Sequence, residues 1–307
     1  MDIASILRRS WTLTKEHRFL WWLGVLAAFT SGGAGFSGGG TNWHQQTTTS
    51  THNAINTATN WVTHHLPLIG ILALIFFVLW LGVLYLSFAA NAGLIESIDS
   101  LETSNKALGF GPAFHSGRSY VWRLVGVALF SIGIILGTML GIGVPIVALV
   151  AISFVLLPLL ILSIPLAILA FIGFILLAVY VGVVANLAQR FVVLENQRVF
   201  EAFGNAHRLA WRFRPQVLLL FLANVGVSIL VGISIAIAFG VAAVALFGIG
   251  IAVYAIAHIL GVLIYCIVVG LFAFVTFLAI SGITTAFFSS YWTIGFRALR
   301  YVQNQTK

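Results

Sequence analysis

Four histidines, His44, His52, His64 and His65, crowd one segment of the chain, and imidazole pairs are ligands for zinc and copper. Their spacing matches no tight ligand pattern, and no carboxylate or thiol accompanies them, so no metal site is assigned. The run Gly35-Phe36-Ser37-Gly38-Gly39 satisfies G-x-S-x-G, which in hydrolases sets a nucleophilic serine on a strained strand-to-helix turn. Here Gly, Ser and Thr surround it instead. A dyad of Ser37 with His258 would make an intramembrane serine hydrolase, the most distant of the functions considered. His258 is the one ionisable histidine inside an apolar stretch, and without an acidic or basic partner it reads as a neutral ring. The arginines carry a different chemistry. Arg208 and Arg212 lie one helical turn apart, with Arg214 next in line and Trp211 and Phe213 between them. That pattern suits the phosphate of an anionic lipid headgroup. Arg118 and Arg123 offer the same in the preceding basic cluster. No catalytic residue and no cofactor is assigned.

What positions these groups is a chain made for lipid. All 15 Lys and Arg and all 7 Asp and Glu fall within residues 1–18, 96–123, 190–214 and 297–307. The stretches between them, 19–95, 124–189 and 215–296, are uncharged. Apolar residues make up 61% of the chain, charged residues 7%, and mean hydropathy is +1.08, against roughly a quarter charged in a soluble domain. Basic residues flanking spans stay on the cytoplasmic side, so four basic clusters around three uncharged stretches imply that each stretch leaves and returns. Two crossings of about 20 residues fit each stretch, giving six spans; stretch 215–296 is long enough for four, which leaves eight as the alternative. Arg8-Arg9 ahead of an apolar run imitates a secretory signal, but removing it would strand an odd number of spans, and the run is taken as a retained first span. Cys266 is the single cysteine, so no intrachain disulfide forms. The net charge of +8 describes a cytoplasmic face attractive to anionic lipid and requires no nucleic acid partner.

The fold class expected is all-α, a polytopic bundle forming one membrane domain from three units at approximately 1–93, 94–189 and 190–307. Each unit comprises an amphipathic interfacial helix and a transmembrane hairpin. Helical spacing places Ile3, Ile6, Leu7 and Trp11 on one face, Leu94, Ile98 and Leu101 on a second, and Val199, Phe200, Phe203 and Ala210 on a third, each opposed by charges. Asp2 is a suitable N-cap. Ala113-Phe114 precedes Trp122-Arg123 with the spacing by which Ala202-Phe203 precedes Trp211-Arg212, and Tyr85 precedes Asn91 as Tyr180 precedes Asn186. These matches indicate tandem repeats. Pro145, Pro158 and Pro165 predict breaks around a short helix in the outer leaflet, with a similar dip near 240–257; a short outer helix is expected around Ala54 to Val62. Small residues recur every fourth position at Gly24, Ala28 and Gly32, at Gly133, Gly137 and Gly141, and at Ser228, Gly232, Ala236 and Gly240. Such stripes permit close helix packing. Asn91, Asn186 and Asn224 read as interhelical hydrogen-bonding groups.

The amphipathic opening, Trp122-Arg123, and the segment from Val193-Leu194-Glu195 through Ala202-Phe203 to Arg208-Leu209-Ala210-Trp211 together resemble a bacterial family of six-span proteins related to the membrane domain of glycerophosphoryl diester phosphodiesterase. The resemblance implies a membrane domain without the hydrolase, whose carboxylates, His and metal have no match here. The function expected is therefore that of a non-enzymatic protein of the bacterial inner or plasma membrane, with both termini cytoplasmic. It would organise lipid or dock a protein partner, a second copy included, through its cytoplasmic helices. The alternative is a transporter or channel for a small or lipidic solute, for which a polar or lipid-filled cavity between the spans would speak.

Overall fold

The computed structural model describes residues 2–31, 66–104, 108–153 and 157–305, and these are helical almost throughout, without strands. The His44 to His65 cluster, Ser37, Gly32 and the helix expected around Ala54 to Val62 lie outside the described residues. Helix α1 (Ile3–Glu16) opens on Asp2, whose carboxylate accepts from the Ala4 amide at 3.0 Å, neutralising an orphan donor of the first turn. It passes through His17 into α2 (Phe19–Ser31), and α3 follows (Leu66–Ser104). A short α4 (Phe110–Gly117) leads through a 3₁₀ turn to α5 (Val121–Thr138), a π turn (Met139–Gly143) and α6 (Val144–Ser153). Next come α7 (Leu157–Leu194) and α8 (Val199–Arg212). From Arg214 the chain is helical to Gln305 apart from a break at His258 (φ 52°, ψ −153°), which divides it into α9 (Arg214–Tyr254) and α10 (Gly261–Gln305).

Five apolar helical segments are long enough to cross a bilayer, and Phe19–Phe29 forms a sixth, shorter one. The architecture is an all-α membrane bundle. Stretch 215–296 holds two limbs, not four, because His258 supplies the one reversal along it. Pro145 does not end its helix either. A proline deprives the carbonyl four residues earlier of its donor and crowds it, and the widened π turn at Met139–Gly143 absorbs that ring while α6 continues. Pro158 occupies the second position of α7, where a missing N–H costs nothing, and Pro165 lies within α7 without interrupting it. No dip near Gly240 occurs, since α9 is helical to Tyr254.

These helices divide into two zones with different solvents. In α3, 39 residues long and so about 58 Å, nearly every side chain from Pro67 to Val83 is exposed, whereas most from Ser87 to Leu101 are buried. The same change occurs along α5, α7, α9 and α10, whose exposed sections are Leu, Ile, Val and Phe. Side chains of that kind are stable in hydrocarbon and not in water. The buried core is therefore gathered in a hub at one end, and every described charged residue sits on it. One hub cluster joins Leu20, Leu23, Leu94, Ile98, Leu101 and Ala113; a larger one joins Leu124, Leu187, Phe191, Leu209, Leu220, Tyr291 and Phe296. Asp2 and Asn304 line the same groove at its base, which places both ends of the described chain together.

Leu94, Ile98 and Leu101 do share a buried face, but not on a separate interfacial helix. They belong to the hub end of α3, and the short amphipathic element that follows is α4. On α8 the buried face is the small-residue strip Ala202, Ala206, Leu209 and Ala210, while Phe200 and Phe203 clasp Phe130 of α5 edge-on, with ring centroids 5.2 and 4.9 Å from it.

Contacts around the hub form a closed circuit. A returning helix lies on the short helix that follows it: α3 meets α4 at Gly93 and Gly117, and α7 meets α8. The last, α10, returns to the first, where Trp11 of α1 packs on Phe287 with centroids 6.2 Å apart. The tandem spacing reappears in these contacts. Arg118 Nε donates to the Tyr85 hydroxyl at 2.9 Å, and Tyr180 is hydrogen-bonded to His207 Nδ1 at 2.7 Å. Arg118 follows Phe114 by four residues as His207 follows Phe203.

Small residues matter at two of these crossings. A Cβ on Gly24 would strike the Gly282 carbonyl, and one on Gly282 would lie 2.6 Å from the Trp21 oxygen. In the same way a Cβ on Gly93 would strike the Ala113 carbonyl, and one on Gly117 the Ala89 carbonyl and the Gly93 amide. The other stripes behave differently. A Cβ on Gly133, Gly137, Gly141, Gly232 or Gly240 would meet nothing within 4 Å, and Ala236 and Ser228 are exposed. These stripes lie on exposed faces of the limbs, so the close packing expected of them does not occur among the described residues. Ala28, by contrast, is buried.

Candidate functional site

The basic residues singled out in the sequence separate into two groups. Arg118 is tied to Tyr85, and Arg123 Nη1 donates to the Asn196 carbonyl at 3.1 Å and to its Oδ1 at 2.5 Å. That clasp holds the α7 to α8 turn, where Asn196 takes a left-handed conformation at φ 53°, one that asparagine tolerates better than most residues. Both arginines are structural ties between elements. The second group is outward-facing. Arg208, Arg212 and Arg214 are exposed at the end of α8 and the start of α9. Arg214 stacks on Trp211 with its guanidinium 3.3 Å from the ring centroid, and His207 stacks on the other side of the sequence turn at 6.1 Å. Trp22, Trp122 and Trp211 are all exposed, Trp122 to 78%, each at the passage from a charged short helix to an apolar one. Tryptophan favours the headgroup level of a bilayer, so these rings and the stacked arginine form a collar where hub and limbs meet.

Beneath the limbs lies a second feature. A cavity of about 560 Å³ opens between α3, α7, α9 and α10. Its lining is polar on all four helices: Asn91 from α3, Asn186 and Arg190 from α7, Asn224 and Ser228 from α9, Thr285 and Ser289 from α10. Arg190 is only 3% exposed. Its Nη1 donates to the Asn186 carbonyl of its own helix at 2.6 Å, with Asn186 Oδ1 at 3.4 Å, while the Asn186 amide donates to Gly182 at 3.0 Å. Among the described residues, buried Nε has no acceptor, and neither Asn224 Oδ1, Thr285 Oγ1 nor Ser289 Oγ has a partner. The ion pairs among the described residues go elsewhere: Arg9 with Glu102 at 3.2 Å, Arg297 with Asp99 at 3.3 Å, and Arg300 with Glu195 at 2.6 Å. A buried guanidinium without a counter-charge costs on the order of several kcal/mol. The cavity thus gathers a guanidinium and two hydroxyls whose hydrogen-bonding capacity is not used up among the described residues.

Residues 9–295 match a family description, from the first basic cluster to the last apolar helix. The chain belongs to DUF7544, a family of unknown function. This match carries no link to the phosphodiesterase membrane domain. No curated protein and no solved structure matches the DUF7544 chain. Its other chemical groups fall apart in space. His258 stands at the break between α9 and α10, Cys266 is exposed on a limb, and no group of three or more His, Cys, Asp or Glu among the described residues could hold a metal.

Arg190 escaped the sequence reading because it is the first charge after an uncharged stretch and looks like one more cytoplasmic flank. A signal did exist. Asn186 and Arg190 are spaced by one turn, and Asn91 and Asn186 occupy matching places after Tyr85 and Tyr180, so two returning helices point polar groups the same way. On α10, Ser289 and Thr285 face the same cavity.

Proposed function

We propose that this chain is a non-enzymatic integral membrane protein that holds anionic lipid at the cytoplasmic face of a bacterial inner or plasma membrane, with both termini on that side. The observation that carries this reading is Arg214 stacked at 3.3 Å on exposed Trp211, beside Arg208 and Arg212. A guanidinium against an indole face keeps its outer donors for a phosphate while the ring seats in the interface. Three units of approximately 1–93, 94–189 and 190–307 give such a face three starting points, and kinship to the phosphodiesterase membrane domain would make this a lipid-handling domain without the hydrolase. Replacing Arg208, Arg212 and Arg214 together by Gln tests it. In detergent micelles containing phosphatidylglycerol, the triple variant is expected to retain several-fold less loosely held lipid than the parent, because basic residues near the surface attract anionic headgroups. Equal retention would remove the collar from the account.

The polar cavity favours a second reading, passage of a small or lipidic solute. Reconstituted vesicles separate the two. A lipid holder leaves fluorescent phosphatidylglycerol of the inner leaflet protected from external dithionite, which is the expected result; complete bleaching would make the protein a transporter.

A further inference from the structure

We infer that the cavity around Arg190 is a binding site for a phosphate oxyanion, and that its occupant is the headgroup of an anionic phospholipid drawn from the leaflet beside the hub. This goes beyond the collar and does not depend on it.

Three observations converge. The first is charge. Arg190 is buried and has no carboxylate partner among the described residues, since Glu102, Asp99 and Glu195 are taken by other arginines. Buried charges in proteins are paired or bound to a ligand of opposite sign. Nothing among the described residues supplies that sign here. The second is donor geometry. A guanidinium offers five N–H groups in a planar fork, and only Nη1 is engaged, by the carbonyl and amide oxygen of Asn186. The buried hydroxyls of Thr285 and Ser289, one turn apart on α10, lack partners and line the same cavity. Hydroxyls from one side and a guanidinium from another are the donors that a tetrahedral oxyanion takes. Asn224 Oδ1, an unpartnered acceptor on α9, suits a hydroxyl beside that phosphate, such as the glycerol of a headgroup.

The third observation is what lies next to the cavity. Its lining climbs from Arg190 and Trp292 in the hub to Val231 and Ile235 on α9, and Gly182 of α7, Ser228 and Gly232 at its upper rim are exposed. Above the rim α7 and α9 present Leu, Ile and Phe to the bilayer. An oxyanion attached to acyl chains fits both levels at once, with phosphate at Arg190 and chains along the limbs. Free phosphate satisfies only the lower one.

Native mass spectrometry of the full chain in neutral detergent tests this, with phosphatidylglycerol, phosphatidylcholine or inorganic phosphate as the added probe. The parent is expected to keep one phosphatidylglycerol tightly, and so is the R208Q/R212Q/R214Q variant, whose defect concerns loosely held lipid. Arg190→Met and the double variant T285V/S289A are expected to lose at least ten-fold in retention. R190M should also melt no lower than the parent without lipid, because it removes an unpaired buried charge, while gaining nothing from added lipid. Should R190M fail to fold, T285V/S289A, which leaves the charge in place, decides. Protection of the parent but not of R190M by inorganic phosphate alone would keep the site and make its occupant a free anion. Undiminished retention by the variants, or equal retention of phosphatidylcholine, would overturn the proposal.

Discussion

Gly282→Leu should lower the melting temperature of the detergent-solubilised protein by on the order of 10 °C and leave little of it monodisperse after mild heating. The reason is the crossing of α2 with α10. There the backbones themselves touch, and a side chain on Gly282 meets the Trp21 carbonyl, the Val25 amide and the Val25 side chain. Overpacking costs about 1–3 kcal/mol where neighbours can turn aside; a carbonyl fixed in a helix cannot. The crossing is also part of where the circuit of the hub closes, since α10 meets both α1 and α2 on this side. Gly133→Leu and Gly240→Leu are the controls. Both positions are open, so both variants should melt within about 1 °C of the parent, as surface substitutions do. A Gly282→Leu protein as stable as these two would mean that α2 and α10 do not cross at this point.

The second large effect is one of sidedness. In a C266A background, Cys placed at Ser50 should react with a membrane-impermeant maleimide on intact cells, whereas Cys at Asn196 or Gln305 should react only after lysis, a difference on the order of ten-fold or more. Two lines of reasoning meet in this expectation. Basic residues flanking spans are held in the cytoplasm, and the hub carries every described charge, Asn196 and Gln305 included in its neighbourhood. Ser50 lies outside the described residues, and its expectation rests on charge distribution alone. Labelling of Asn196 from outside would reverse the orientation and move the arginine collar to the wrong leaflet for its proposed lipid.

Much of this molecule was legible before any coordinates. Long uncharged runs have one stable solvent, and a backbone in that solvent must be helical, so bilayer residence, two apolar helices per stretch and chain ends on one side follow from residue types. Ala-Phe and Trp-Arg recur at equal spacing in the sequence, and the Tyr85 to Arg118 and Tyr180 to His207 contacts occupy matching places relative to that spacing.

Other features depended on which helix lies against which. Gly24 and Gly133 head stripes of the same kind, yet only Gly24 has a neighbour, because the hydrophobic effect does not draw limbs together in lipid and specific packing alone decides. Leu94, Ile98 and Leu101 show a buried face equally well on a separate helix or on the end of α3, since periodicity repeats along a helix and does not record where it begins. Arg190 is the clearest case. By composition it is one more flanking cation; only the approach of α3, α9 and α10 encloses it, strips it of water and leaves it facing unpaired hydroxyls. Burial is a property of the assembled surfaces, and no single stretch of chain contains it.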